Sequence, residues 1–233
     1  MKYAIVNGKR TNIKDANRGD LGYDCWFRDY QVKACKGHYM QYWRYVDDKP
    51  ILPDGYENET PWHVAWKSSL KDEYVEVISG ENNEHRADIM TPDRVIEIQY
   101  SPISYDSACE RSDFYKALTG RRLIWIVNVY GVAVNKRITT RPNRDNPYIL
   151  DVEWKYPKKW AVDLSEFDNN DVYLDMSKKP DASLLKIWKH NNRLYGKWIT
   201  RARFFNEYLS RYSNQCFSDF AEAFTHLDIK DYL

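Results

Sequence analysis

The chain has 233 residues, 43% of them hydrophobic, with 35 basic against 34 acidic side chains. That length buries one good core, or one domain plus a small appendage, and the near-neutral balance excludes a protein drawn to polyanions by its overall field, so any nucleic-acid contact must come from a local patch. No apolar run approaches a membrane span, residues 1–6 are too short and too soon polar for a signal peptide, and four scattered cysteines make no disulfide framework; the expectation is a soluble, cytoplasmic protein with no membrane contact.

In chain order, short strands are predicted over Tyr3 to Val6, Gln31 to Ala34 and Tyr39 to Val46, separated by Gly, Asn and Asp signals, which makes residues 1–56 a small β-rich module. The Pro and Gly punctuation of residues 50–55 reads as a linker, and a second domain is expected over residues 57–233. It opens on a helix with Thr60 at the N-cap and Pro61 at the first helical position, running through Trp62, Val64, Ala65, Trp66 and Leu70. Strands follow over Tyr74 to Ser79, Ala87 to Met90 and Val95 to Tyr100, the last two joined by a tight turn at Thr91-Pro92-Asp93-Arg94. A helix from about Asp106 to Leu118 ends at Gly120, and the apolar run Leu123 to Val129 suits a strand buried on both faces. The order is αβββαβ. Further β structure is expected over Gly131 to Ile138, Tyr148 to Trp154 and Val172 to Asp175, and a helical stretch from about Asp181 to Leu209 with a break near Gly196.

The chemistry is concentrated in HRADIMTPDRVIEIQ, His85 to Gln99. Alternation along the last strand puts Glu97 and Gln99 on one face and Ile96 and Ile98 on the other, and the preceding hairpin arm can set Asp88 beside Glu97. Two carboxylates, with the backbone carbonyl of Ile98 as a third oxygen, are what a hard divalent cation needs to work on a phosphodiester, and Gln99 would stand next to the attacking water. By spacing alone, an Asp nine residues before an E-x-Q triplet is also common in any hairpin with a solvated face.

Four segments, HRADI (His85 to Ile89), VIEIQYSPIS (Val95 to Ser104), ERSDFY (Glu110 to Tyr115) and LIWIVN (Leu123 to Asn128), resemble in order and spacing the competence-protein CoiA-like nucleases, a branch of the PD-(D/E)XK phosphodiesterases. The likeness extends to the opening helix and to Val172-Tyr173-Leu174-Asp175, covering about residues 57–210. It implies an α/β, restriction-endonuclease-like core with a mixed four-stranded sheet, a Mg²⁺- or Mn²⁺-dependent site with Asp88, Glu97 and Gln99 in the motif positions, and DNA as substrate. The third position is usually lysine in that superfamily, and glutamine can hold a water but cannot supply the charge.

Glu59, His63 and Lys67 follow one another at i, i+4, i+8, so they line one side of the opening helix, either as a solvated stripe or facing the cleft, where Glu59 would reach metal through water and Lys67 would meet phosphate. Arg111 and Tyr115 share an i, i+4 relation that points them toward Ser101 and Ser104, for phosphate contact or as a brace for that loop. The N-terminal module resembles the family's zinc-ribbon-like module with its ligands mostly replaced: one cysteine, Cys25, stands where a pair is expected, tyrosines stand at Gln41 to Tyr45 where histidines would, and Cys25, Cys35 and His38 lack paired spacing. No zinc is expected there, and residues 1–56 are a candidate surface for nucleic acid or a protein partner. Cys109 and Cys216 read as small core residues on helices. The basic stretch Lys136, Arg137, Arg141, Arg144, Lys155, Lys158 and Lys159, and Lys197, Arg201 and Arg203 further on, are either phosphate contacts or ordinary solvated surface.

The sequence thus predicts a metal-dependent deoxyribonuclease. The alternatives are a retired nuclease fold that binds nucleic acid or protein, and an accessory protein of a phage or mobile element whose target is another protein.

Overall fold

The computed structural model describes residues 1–37, 41–54, 56, 59–225 and 227. It divides into two compact units, one of Met1–Glu59 with Ile78–Arg86 and one of Thr60–Val77 with Ala87–Leu233. The division falls at Glu59/Thr60 where 56/57 was expected, and the first unit also takes in the hairpin tip 78–86.

The first unit carries an antiparallel sheet of β1 (Tyr3–Val6), β2 (Lys9–Asn12), β3 (Leu21–Asp24), β4 (Gln31–Lys36) and β5 (Gln41–Tyr45), in the order β2-β1-β3-β4-β5. The expected strand start at Tyr39 lies outside the described residues. Two strands went unpredicted. β2 reads Lys-Arg-Thr-Asn, with no apolar alternation to betray it, and is paired to β1 by a turn at Asn7 and Gly8, whose positive φ of 51° and 76° suits a two-residue hairpin. β3 contains Gly22, whose side-chain position would sit 2.8 Å from the Ile5 carbonyl, so only glycine lets β3 lie against β1 there. Ala4, Val32, Ala34 and Trp43 form the core on one side of this sheet.

The second unit is α/β. Helix α1 (Pro61–Lys67) precedes β6 (Val75–Ser79), β7 (His85–Met90) and β8 (Val95–Gln99), and α2 (Tyr105–Thr119) leads to β9 (Leu123–Asn128), so the αβββαβ order is present. After them come α3 (Tyr130–Val134), β10 (Ile138–Pro142), β11 (Leu150–Trp154), α4 (Lys159–Leu164), β12 (Asn170–Asp175), β13 (Ser183–His190), β14 (Arg193–Thr200), α5 (Arg201–Tyr208) and α6 (Phe217–Glu222). The sheet is mixed, as expected, but has nine strands in the order β10-β11-β14-β13-β12-β9-β8-β7-β6. β9 runs parallel to both β8 and β12, and its six residues are all buried, as its unbroken apolar sequence requires. On one face Trp125, Val127, Leu174, Leu185 and Ile187 meet Ala108 and Tyr115 of α2 and Trp160, Ala161 and Leu164 of α4. On the other, rings of α1, α5, α6 and β12 interlock, with Trp66 5.6 Å from both Phe204 and Phe220, and Tyr173 5.0 Å from Phe204. Among the described residues no helix is long and apolar enough to cross a membrane.

Two expectations are corrected. Residues 131–134 form the short helix α3, not a strand: Asn128 Oδ1 accepts from the Tyr130 amide at 3.0 Å and starts a helical turn, while strand pairing begins only at Ile138. Residues 183–200 form the β13–β14 hairpin, and only 201–208 are helical. The turn is Asn191-Asn192, with φ of 48° and 59°, the left-handed pair that a tight hairpin demands and that Asn tolerates. Gly196, read as a helix break, is instead a strand residue under close packing. A Cβ there would lie 2.9 Å from Leu185 Cδ1 and from Val152 Cγ2, and 3.0 Å from the Lys186 carbonyl.

Gly196→Ala should therefore overpack the β11–β14–β13 junction and destabilise the protein by about 1–3 kcal/mol. Urea unfolding checks it: an unchanged midpoint would mean that the three strands are not held this tightly.

Candidate active site

The site is assembled by β7, β8, α1 and α2. The β7–β8 register pairs Ile89 with Ile96 and Met90 with Val95, closed by the turn in which the Thr91 amide donates to the Arg94 carbonyl at 2.8 Å. Continued one step, that register sets Asp88 opposite Glu97. Backbone pairing is replaced there by a side chain: the Ile98 amide donates to Asp88 Oδ2 at 2.9 Å. Asp88 is thereby held against the strand that carries the E-x-Q triplet.

The other Asp88 oxygen, Oδ1, lies 3.5 Å from Lys67 Nζ, and the same ammonium lies 3.4 Å from Glu76 Oε1. Lys67 is the last residue of α1 and only 3% exposed. Glu76 was not singled out in the sequence, where it is one acidic residue in a short strand; its backbone sits at φ 52°, a conformation a non-glycine residue adopts at a cost of about 1 kcal/mol or more. Glu97 is paired on the far side, its Oε2 accepting from Arg111 Nη1 at 3.0 Å, with both side chains 2% exposed. Three carboxylates thus meet two cations, and the site as drawn carries one net negative charge.

Gln99 is buried beside Glu97 on the same strand, and its Nε2 donates to Ser101 at 3.1 Å to the carbonyl and 3.3 Å to Oγ. With the amide nitrogen engaged, Oε1 is the end that can accept a hydrogen bond from a water. At the end of the same strand, Lys158 Nζ donates to the Tyr100 carbonyl at 2.7 Å, so one residue of the basic stretch does reach the active strand.

His63 closes the N-terminus of α1: its amide donates to Thr60 Oγ1, and the Thr60 amide donates to His63 Nδ1 at 3.2 Å, a capping box with histidine in the position usually held by Glu or Gln. Nδ1 is an acceptor in that arrangement, which assigns the ring proton to Nε2. Glu59 precedes the cap and belongs to the first unit. Tyr115 is fully buried in the α2 core beside Phe114, and Ser104 caps α2 through the Ser107 amide at 3.1 Å. Arg111 turns to Glu97. Cys109 is half-buried against the core, but Cys216 is the exposed N-cap of α6, where Asp219 accepts from its amide. Arg201 is not a surface cation at all; it is completely buried against Asp175. His38 lies outside the described residues.

Among the described residues no three His, Cys, Asp or Glu side chains come together as a metal cluster. The register sets Asp88 and Glu97 at opposite strand positions, and their carboxylate oxygens are hard donors of the kind Mg²⁺ takes. Asp88 is the more accessible of the two at 22% side-chain exposure. No protein-family model, curated protein or solved structure matches the chain.

Arg111→Met should cost about 3–5 kcal/mol, because it leaves the Glu97 carboxylate buried without its cation. Adding Glu97→Gln should recover a large part of that loss. Equilibrium unfolding of the two single variants and the double one measures it, and strictly additive losses would show that the pair is not coupled.

Proposed function

We propose that the chain is a Mg²⁺- or Mn²⁺-dependent phosphodiesterase acting on DNA, built on a restriction-endonuclease-like core. The observation that carries this reading is Lys67 Nζ at 3.5 Å from Asp88. The superfamily pattern wants an ammonium beside the two carboxylates, position 99 holds glutamine, and α1 brings a lysine to the same place from another element. The α1-β6-β7-β8-α2-β9 order, with β8 and β9 parallel and β7 antiparallel to β8, supports the core assignment.

In this reading Asp88, Glu97 and the Ile98 carbonyl hold the ion, which when bound acts as a Lewis acid toward the phosphate. Gln99 Oε1 accepts a hydrogen bond from the attacking water and fixes its direction. Lys67, anchored between Glu76 and Asp88, offers its positive charge to the non-bridging oxygens as negative charge builds up in the transition state. Arg111 does not touch substrate; it positions Glu97 by holding one carboxylate oxygen. Lys158, whose Nζ donates to the Tyr100 carbonyl at the strand end, would meet the phosphate backbone in this reading.

One observation favours a second reading, a fold kept for binding after its chemistry was lost. Glu97 is as buried as Arg111 and already neutralised by it, so its affinity for a second cation is reduced.

Cleavage of linear, circular and single-stranded DNA with Mg²⁺ or Mn²⁺ separates the two. The hydrolase reading expects cutting that EDTA, Asp88→Ala and Glu97→Ala abolish and that Lys67→Met slows by about 10²–10³-fold. Folded protein that cuts no DNA or RNA, or cutting that survives Asp88→Ala, would sink it.

A further inference from the structure

On the side of the first unit's five-stranded sheet away from the core, Tyr3 is buried with the Arg10 guanidinium 3.7 Å from its ring centroid; the core lies on the other side. Ala4, Val32, Ala34 and Trp43 define that side, and alternation places their strand neighbours on the opposite face. The register lines those neighbours up across the sheet: Arg10 beside Ile5, Ile5 beside Tyr23, Leu21 beside Lys33, Lys33 beside Arg44, and Cys35 beside Tyr42. Leu21, Tyr23 and Tyr42 are 52%, 48% and 37% exposed, and Lys33 and Arg44 are exposed between them. The strands themselves contain one acidic residue, Asp24, and it is buried on the core side, where it takes the Trp26 amide at 2.6 Å, the Phe27 amide at 3.1 Å and the Tyr45 hydroxyl.

We infer that this face is a binding platform for single-stranded DNA. A folded chain that gains nothing from exposing two tyrosines and a leucine on one flat sheet, and that removes every carboxylate from the strands presenting them, has the composition of a surface on which bases stack while cations follow the phosphates. The protein as a whole is nearly neutral, so the pairing of rings with Lys33, Arg44 and Arg10 is local, as a nucleic-acid contact here must be. A single strand is required because a duplex hides the ring faces that Tyr23 and Tyr42 offer to meet. The choice of DNA over RNA rests on the hydrolase reading above; the platform itself does not.

The test is fluorescence anisotropy with the full-length protein in EDTA, titrated into a labelled 20-mer of thymidine, the matching duplex and the matching RNA. Binding should favour the single-stranded DNA, and Tyr23→Ala with Tyr42→Ala should weaken it at least about ten-fold. Lys33→Gln with Arg44→Gln should lower the slope of log affinity against log salt by about 1.4. All four positions are at the surface, and an unchanged melting temperature shows that each variant is folded. Equal affinity in parent and both double variants, or preference for the duplex or for RNA, overturns the inference. Because EDTA silences cleavage and Asp88 lies in the other unit, loss of binding here and loss of cutting there are read separately.

Discussion

The larger unit is organised around one buried carboxylate. Asp175, at the end of β12, is completely buried and accepts from three side chains: Arg201 Nη2 at 2.8 and 3.0 Å, Trp62 Nε1 at 3.0 Å and Trp66 Nε1 at 3.2 Å. An ion pair removed from water this far loses several kcal/mol of hydration on each side, and it is favourable only because nearly every lone pair and N–H is used. Arg201 also donates to the carbonyls of Lys179 at 2.6 Å and Ser177 at 2.8 Å, and lies 4.0 Å above the Phe224 ring. Asp175 therefore joins the central sheet to α1 by two indoles and to α5 by a guanidinium. The joint has a functional consequence. Trp62 and Trp66, spaced i, i+4, face the hub, so Lys67, one residue further round the helix, is aimed at Asp88 and Glu76 with little freedom.

That constraint decides how the candidate site distributes its charge. Arg111 and Glu97 form the inner pair, equally buried, and separating them would strand a charge in the interior. Lys67 contacts its two carboxylates at 3.4 and 3.5 Å, near the limit of an ion pair, and Asp88 retains some exposure. Exchange of partners is therefore cheapest at Asp88. In the proposed hydrolase, a cation or a phosphate would meet Asp88 and Lys67 first, with Glu97 behind them as a fixed charge whose orientation Arg111 sets. The left-handed backbone at Glu76 fits the same picture, since a conformation with that cost persists only where its surroundings over-determine it.

Much of this was legible in the sequence. The β7–β8 hairpin follows from alternation and a Thr-Pro-Asp-Arg turn, α1 from its Thr-Pro start, α2 from helical spacing closed by Gly120 at φ 69°, and β9 from an unbroken apolar run. These are local signals, read within a few residues. The failures are where a long-range contact decides. Gly196 looks like a helix break until Leu185, Val152 and the Lys186 carbonyl are seen to leave no room for a Cβ. Arg201 looks like one more basic surface residue because its partner, Asp175, is 26 positions away in sequence. Glu76 and the Lys67 contact were hidden for the same reason, although Lys67 itself stood out by spacing. His63 shows the converse: the right residue at the right spacing, employed to cap its own helix.

The smaller unit repeats the strategy of the larger on a lesser scale. Asp24 stands next to Cys25, and its carboxylate gathers two backbone amides and a phenol. Burial, and then the hydrogen bond to Asp24, push the Tyr45 hydroxyl well above the ordinary phenol range, so it stays a protonated donor at neutral pH. Trp26 is then fixed by its indole N–H on the Asn83 carbonyl at 2.7 Å and by Tyr56 and Phe27 at 4.6 and 4.7 Å. The loop is thus tied down by hydrogen bonds and ring packing on the core side of the sheet. The core lies on that side together with Asp24, the one carboxylate of these strands, and Leu21, Tyr23, Lys33, Tyr42 and Arg44 stand exposed on the opposite face.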